Sequence, residues 1–190
     1  MCGRYYIEID EKELQDIVNE AERKLRGYAE QLSLKLQGDV FPTDIVPVQT
    51  HDQGVLPMKW GFAGFDSKPI INARSETALQ KPVFQRAMLE RRCLIPASGY
   101  YEWKKDGSKR IKHQFFSSDS KPIFLAGCYR KEKDNPLFSF VILTQQAVGG
   151  MATIHERMPV IIPQAYRRAW LHENPQTMDY PLQEIEYRAV

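Results

Sequence analysis

The chain is short of cysteine, of one-signed charge and of long apolar runs, and each shortage removes a class of protein. Three cysteines (Cys2, Cys93 and Cys128), odd in number and with no Cys-x-x-Cys pair, make neither a disulfide framework nor a zinc knuckle. Twenty-six Lys+Arg against twenty-four Asp+Glu leave a net charge of only +2, so total charge does not announce a nucleic-acid partner. No apolar run approaches the ~18 residues that cross a bilayer, and no membrane association is expected. The opening Met-Cys-Gly-Arg-Tyr-Tyr has no apolar h-region, so no secretory signal is expected and the cytoplasm is the default compartment. Neither G-x-x-x-x-G-K-[ST] nor G-x-G-x-x-G occurs, so no nucleotide cofactor is expected. There is no H-E-x-x-H, and Cys2, His51, His113 and His155 show no ligand spacing, so no metal is expected either.

What is present is enough for one folded domain over residues 1–190, with 43% hydrophobic and 26% charged residues. Asp10-Glu-Lys-Glu13 has capping-box form, and Leu14, Ile17, Val18, Ala21, Leu25, Tyr28 and Leu32 recur at helical spacing. This predicts a long amphipathic helix from about residue 11 to about 36, closed near Gly38. Pro42, Pro47 and Pro57 then punctuate short β-prone pieces ending in Met-Lys-Trp-Gly-Phe (58–62). Arg92–Lys104 reads as one strand, turned by Asp106-Gly107 into Arg110–Phe116. Pro122–Tyr129, Leu137–Thr144, Met158–Ile162 and Glu184–Val190 read as further strands, with a short helix after Pro163. The expected class is α+β, with mainly antiparallel sheet folded toward a barrel or sandwich and helices at the periphery.

Two basic clusters, Arg86/Arg91/Arg92 and Lys104/Lys105/Lys109/Arg110/Lys112, fit a nucleic-acid contact and a solvated face or hairpin loop about equally. Four polar positions lie beside strand-like apolar sequence: Cys2, Asn72, Glu102 and His155. Singly, Asn72, Glu102 and His155 have ordinary readings, as a turn amide, an outward carboxylate on an edge strand and a satisfied histidine. Cys93 and Cys128 read as small buried hydrophobes, whereas Cys2 differs in becoming the first residue once Met1 is removed. Together they are a thiol, an orienting amide, a carboxyl and an imidazole, a set able to support thiol or Schiff-base chemistry. Spacing alone does not show that they converge.

Six blocks in order give the chain a resemblance. Met-Cys-Gly-Arg-Tyr at the start, Lys-Trp-Gly-Phe (59–62), Ile-Asn-Ala-Arg-Ser-Glu-Thr (71–77), Arg-Arg-Cys-Leu-Ile-Pro-Ala-Ser-Gly-Tyr-Tyr-Glu-Trp (91–103), Leu-Thr (143–144) and Ile-His-Glu-Arg-Met-Pro-Val (154–160) resemble the SRAP family of SOS-response-associated, abasic-site-processing proteins. The resemblance implies a DNA-repair protein whose partner is single-stranded DNA containing abasic sites. It implies a covalent thiazolidine crosslink through Cys2 after Met1 removal. Asn72 would position the amine of Cys2, and Glu102 and His155 would handle protons. Arg4, Arg74 and Arg157 would hold the DNA backbone, with Pro42, Trp60 and Thr144 lining its path. Alternatives are a thiol peptidase, as the family name has it, and a non-covalent single-stranded DNA module. The chain departs from the family in reading Val-Phe-Pro-Thr (40–43) where Asn-x-Ala-Pro is usual, and Phe65 where a Trp wedge is expected.

An N-terminal cysteine suits such a trap because it places an amine and a thiol on adjacent carbons. With a pKa of ~7.7–8.0, an α-amine is roughly a quarter to two-fifths neutral at about pH 7.5, against about 0.1% for an ordinary lysine. The position of Cys2 is therefore as informative as its identity.

Overall fold

The structure, a computed structural model, describes residues 2–9, 12–28, 32–64, 66, 68–133, 135–175 and 180–190. In chain order its elements are β1 (Tyr5–Ile7), α1 (Lys12–Leu25), β2 (Gly38–Val40), β3 (Ile45–Thr50), β4 (Gly54–Trp60), β5 (Asn72–Arg74), α2 (Ser75–Ala78), α3 (Pro82–Glu90), β6 (Arg92–Ala97), β7 (Gly99–Asp106), β8 (Lys109–Ser117), β9 (Ile123–Lys131), β10 (Phe138–Gln146), β11 (Arg157–Pro159), α4 (Arg167–His172) and β12 (Ile185–Ala189). Short 3₁₀ turns occupy Gly149–Thr153 and Gln164–Tyr166.

The unbroken apolar runs become strands buried on both faces. β4, β3, β6, β9 and β10 pair in that order, and β10 pairs back with β4, closing a five-stranded barrel. Alternate residues then serve two cores. Ile123 and Leu125 of β9, with Phe140 and Ile142 of β10, join one core with Tyr5, Trp60 and Tyr100. Phe124, Ala126, Val141 and Leu143 face the other, under Phe84, Ala87 and Met88 of α3 and Trp170 of α4. A strand with two apolar neighbours has no use for alternation, which is why these segments read as continuous runs. Cys93 and Cys128 are buried and free, one in each core.

A second, five-stranded antiparallel sheet, ordered β12-β8-β7-β1-β2, packs Tyr5, Ile7, Tyr100 and Phe115 into the first core. Its β7–β8 hairpin turns at Asp106-Gly107 as the sequence predicts, with Gly107 at φ +59°.

Three expectations are corrected. The helix expected over 11–36 ends at Leu25; the backbone turns at Gly27 and Tyr28, and by Lys35 its N–H donates to Ile45 O. Tyr28 and Leu32 continue the helical spacing without continuing the helix, and Tyr28 is exposed. The capping residue Asp10 lies outside the described residues. The single strand expected over 92–104 is two, because the chain passes from barrel to sheet at Ser98. That residue donates its N–H to Tyr6 O, and its hydroxyl accepts the Glu8 N–H at 2.7 Å. The strand expected over 158–162 keeps only β11, with a lone bridge at Ile161. Pro47 and Pro57 do not interrupt pairing at all. They oppose each other in β3 and β4, where neither needs an N–H.

The feature that positions the site is the β10 edge. β4 and β5 both run parallel to β10, at Phe138–Phe140 and Ile142–Thr144 respectively, so residues 61–71 are an excursion out of one ladder position. Gly61 turns the chain out at φ +113°, where a Cβ would come within 2.7 Å of Pro69 Cβ. The ladder resumes at Asn72.

Candidate active site

Barrel and sheet meet at Cys2. Its chain leads into β1, whose Tyr5 opposes Tyr100 and whose Arg4 O accepts the Tyr101 N–H at 3.0 Å. Extending that register sets Gly3 beside Glu102, so Cys2 arrives next to the carboxyl of β7. From the barrel side, Asn72 opens β5 and its Nδ2 donates to Cys2 O at 2.9 Å. Asn72 Oδ1 is buried with no hydrogen-bond partner among the described residues. His155 follows the 3₁₀ turn at Gly149–Thr153. Its Nδ1 lies 2.9 Å from the Arg157 backbone N and 3.1 Å from the Arg157 carbonyl oxygen, which fixes the ring against the start of β11. Glu102 and His155 share a cleft of about 530 Å³ with Lys104, Lys105 and Arg110. The four residues that spacing alone could not join are neighbours.

Electrostatics gives them distinct states. Cys2 is 0% exposed, and burial pushes its thiol far above the ordinary range, with the Glu102 charge adding to the effect. Glu102 is 4% exposed; burial raises its carboxyl, and the nearby His155 pulls it back. The site therefore holds a neutral thiol beside a carboxyl biased toward its protonated form. A thiolate–imidazolium pair would need the opposite, a depressed thiol in an electropositive setting. The arrangement can donate and accept protons around an electrophile, with a thiol available to close on it.

The residues expected along a DNA path divide. Arg74 is exposed at the end of β5, and Pro42 is half-buried beside exposed Phe41. The Arg4 guanidinium lies between the rings of Phe41 (4.4 Å) and Trp103 (5.0 Å), with Asp39 at 3.6 Å. Trp60 is a correction. It is 0% exposed, stacked near Phe140 and tilted against Tyr5, and its Nε1–H donates to Ile71 O. Thr144 is likewise buried, with its hydroxyl 3.5 Å from Ala73 O. Both are buried in the core under the site instead of standing exposed beside it. Phe65 lies outside the described residues. In the departing segment, Val40 is in the core, while Asp44 accepts the Phe41 N–H and Thr43 turns the chain at φ +80°.

Arg157 is occupied. It grips Glu76 with two hydrogen bonds at 2.7 and 2.8 Å and donates to Thr144 O at 2.6 Å. This fork ties α2 to β10 and β11 and carries the backbone that orients His155. Glu76 was not singled out from sequence, although an acid and an arginine in two separate blocks were a signal for pairing. Asp39, the partner of Arg4, had no such signal. Arg157 holds the Glu76 carboxyl down at about 2, from an ordinary 4.5. A depressed folded-state pKa stabilises above the unfolded value and is lost as pH falls, so this contribution is complete above about pH 4.5 and disappears toward pH 2. With Glu76 nearly half exposed, solvent screening reduces it to about 1 kcal/mol. Stability should fall across that window in the wild type and less so in Glu76→Gln, as urea titrations at pH 3 and pH 6 would read; identical pH dependence would remove the pair from the account.

A cysteine at position 2 flanked by an amide, a carboxyl and an imidazole, at the seam of a closed barrel and a sheet, defines a thiol-centred site with built-in proton donors. The chain belongs to the family described as SOS response associated peptidase (SRAP), whose profile matches residues 1–189. It is 30% identical over 181 residues to the abasic site processing protein YedK of Escherichia coli K12, covering 91% of this chain and 80% of that one. It is 36% identical over 115 residues to the abasic site processing protein YoaM of Bacillus subtilis, covering 58% of this chain. That match spans about half, 51%, of the Bacillus relative's length. A crystal structure of a protein from Bacteroides thetaiotaomicron shares the fold over 100% of this chain and 92% of its own, with a TM-score of 0.77 at 22% identity.

Proposed function

We propose that this chain processes abasic sites in DNA, acting on single-stranded DNA and capturing the lesion covalently through Cys2 once Met1 is removed. The observation that carries the reading is the meeting of Cys2 with Asn72 and Glu102, with His155 beside Glu102 in the adjoining cleft. The similarity to relatives named abasic site processing proteins supports it.

The chemistry balances with these groups alone. The ring-opened deoxyribose presents an aldehyde, and the neutral α-amine of Cys2 adds to it. Loss of one water gives an imine, and Glu102, biased toward its acid form, supplies the proton that the departing hydroxyl needs. The Cys2 S–H then adds across C=N: sulfur bonds carbon, the proton passes to nitrogen, and a five-membered thiazolidine closes. His155 relays that proton. Asn72 fixes the Cys2 carbonyl, and its unpartnered Oδ1 is an acceptor for the amine N–H. A buried neutral thiol suits this second step better than it suits a peptidase, which attacks as a thiolate.

Arg74 and Arg4 are assigned to the DNA backbone, since a guanidinium bonds phosphate bidentately and keeps its charge. Arg157 contributes by holding the His155 loop. The test is incubation with single-stranded DNA carrying one abasic site, read on a denaturing gel. A heat-stable shifted band is the expected result. Peptide cleavage without a band would favour a peptidase, and a shift seen only on a native gel would leave a non-covalent binding module.

A further inference from the structure

We infer that the β7–β8 hairpin is a phosphate clamp for the strand that carries the abasic site, with Lys105 and Arg110 as its principal contacts and Lys104 supporting them. The inference rests on the proposed function and deepens it by assigning a grip that none of the residues discussed above supplies.

The hairpin cations share the cleft of the proton-handling residues. Lys104, Lys105 and Arg110 line the same space as Glu102 and His155. Register explains why. Lys105 opposes Arg110 across the hairpin, so their side chains stand on one face of the ribbon, close enough to bracket a single phosphodiester. β1 pairs with β7 only at Tyr5↔Tyr100 and Tyr6↔Gly99. From Trp103 onward the β7 edge faces the cleft instead of another strand of the sheet. The cleft thus begins where the chain of Cys2 meets Glu102 and runs outward along the hairpin. A nucleotide whose sugar reaches Cys2 must send its backbone out of the site, and this route offers three cations. Glu102 and Glu156 are the two acids that line it against three cations, and burial favours the neutral form of Glu102, so the balance is positive.

The cations are also available. Lys105 and Arg110 are exposed, whereas Lys112 further along β8 sits over the Tyr101 ring and faces Asp39 at 4.0 Å. Two exposed like charges directly opposite each other disfavour the hairpin in isolation, an arrangement relieved by an anion between them. The cleft, at about 530 Å³, has room for a sugar-phosphate unit.

The experiment compares wild type, Lys105→Glu/Arg110→Glu and the charge-keeping Lys105→Arg/Arg110→Lys, each with its mature N-terminus and matched melting temperature. Binding to single-stranded DNA with one abasic-site analogue is titrated across salt, using strands with the 5′ flank, the 3′ flank or both. Each lost phosphate contact on a single strand lowers the log–log salt slope by about 0.7. The charge-reversed protein should lose about twice that and bind at least tenfold more weakly, on one flank only. The charge-keeping variant should retain the wild-type slope. At saturating protein both variants should still crosslink natural abasic DNA. A wild-type slope and affinity in the reversed variant would overturn the clamp while leaving the function standing, as would an equal loss on both flanks. Failure of the wild type itself to crosslink would overturn the function instead. A reversed variant that melts early is replaced by Lys105→Gln/Arg110→Gln, for which the same loss of slope is required.

Discussion

A chain that keeps Met1, or that carries an N-terminal tag, is expected to form no heat-stable adduct with abasic single-stranded DNA while folding normally and binding the DNA almost as well as the mature form. The reason is chemical. In the proposed mechanism the imine forms at the α-amine, and an amide nitrogen cannot replace it. Cys2→Ala separates the two halves of the aminothiol: its amine still condenses, giving an imine trappable with borohydride, but the thiol that closes the ring is gone and the heat-stable product should be lost. Since Cys2 is fully buried, the alanine variant also needs a thermal melt to show that the pocket persists. A blocked N-terminus that crosslinked at the wild-type rate through the thiol would contradict the mechanism, because only an internal nucleophile behaves that way.

The second large effect concerns Glu102 and His155, the pair proposed to handle protons. Glu102→Gln and His155→Ala should each slow crosslinking by roughly 10²–10⁴-fold at saturating protein, the range for a lost general acid or base. They should differ in pH dependence. Burial raises the Glu102 carboxyl, so the wild-type rate should decline as pH rises through that raised value and the acid is lost. Glu102→Gln cannot titrate there and should lose this limb, whereas His155→Ala should keep it. Single-turnover rates between pH 5 and 9 distinguish them. Wild-type rates in either variant would return that residue to a structural role.

How much of this could be read beforehand depended on whether a property was local. Apolar runs bounded by turn residues announced β9 and β10, and Asp106-Gly107 announced the β7–β8 hairpin, because burial and turn geometry act over a few residues. The end of α1 was not legible, since Tyr28 and Leu32 keep the helical spacing by coincidence while the backbone leaves at Gly27 to bring Leu34 and Lys35 against Ile45. The division of Arg92–Lys104 into two strands was hidden because one residue, Ser98, carries the chain between sheets.

That same crossing explains the candidate site. Asn72 comes from the barrel, Glu102 from the sheet and His155 from a loop, so their convergence on Cys2 depends on the packing of sheet on barrel and on no spacing in the sequence. The motifs placed Trp60 and Thr144 near the site without saying which way they faced. Trp60 joins the core between Tyr5 and Phe140, and Thr144 lies under Arg157. A block of sequence marks proximity; exposure is a property of the fold. The Arg157–Glu76 fork was missed for a similar reason, since its partners are brought together by β5 and β11 pairing on either side of β10.

The most direct test of the central claim is to digest the unreduced adduct of the mature protein with abasic single-stranded DNA and to locate the modified residue by mass spectrometry. The account predicts a deoxyribose remnant on the peptide that begins at Cys2, formed with loss of one water, with neither its α-amine nor its thiol open to labelling. A remnant on an internal lysine, or a Cys2 peptide whose amine or thiol still reacts with its label, would contradict it.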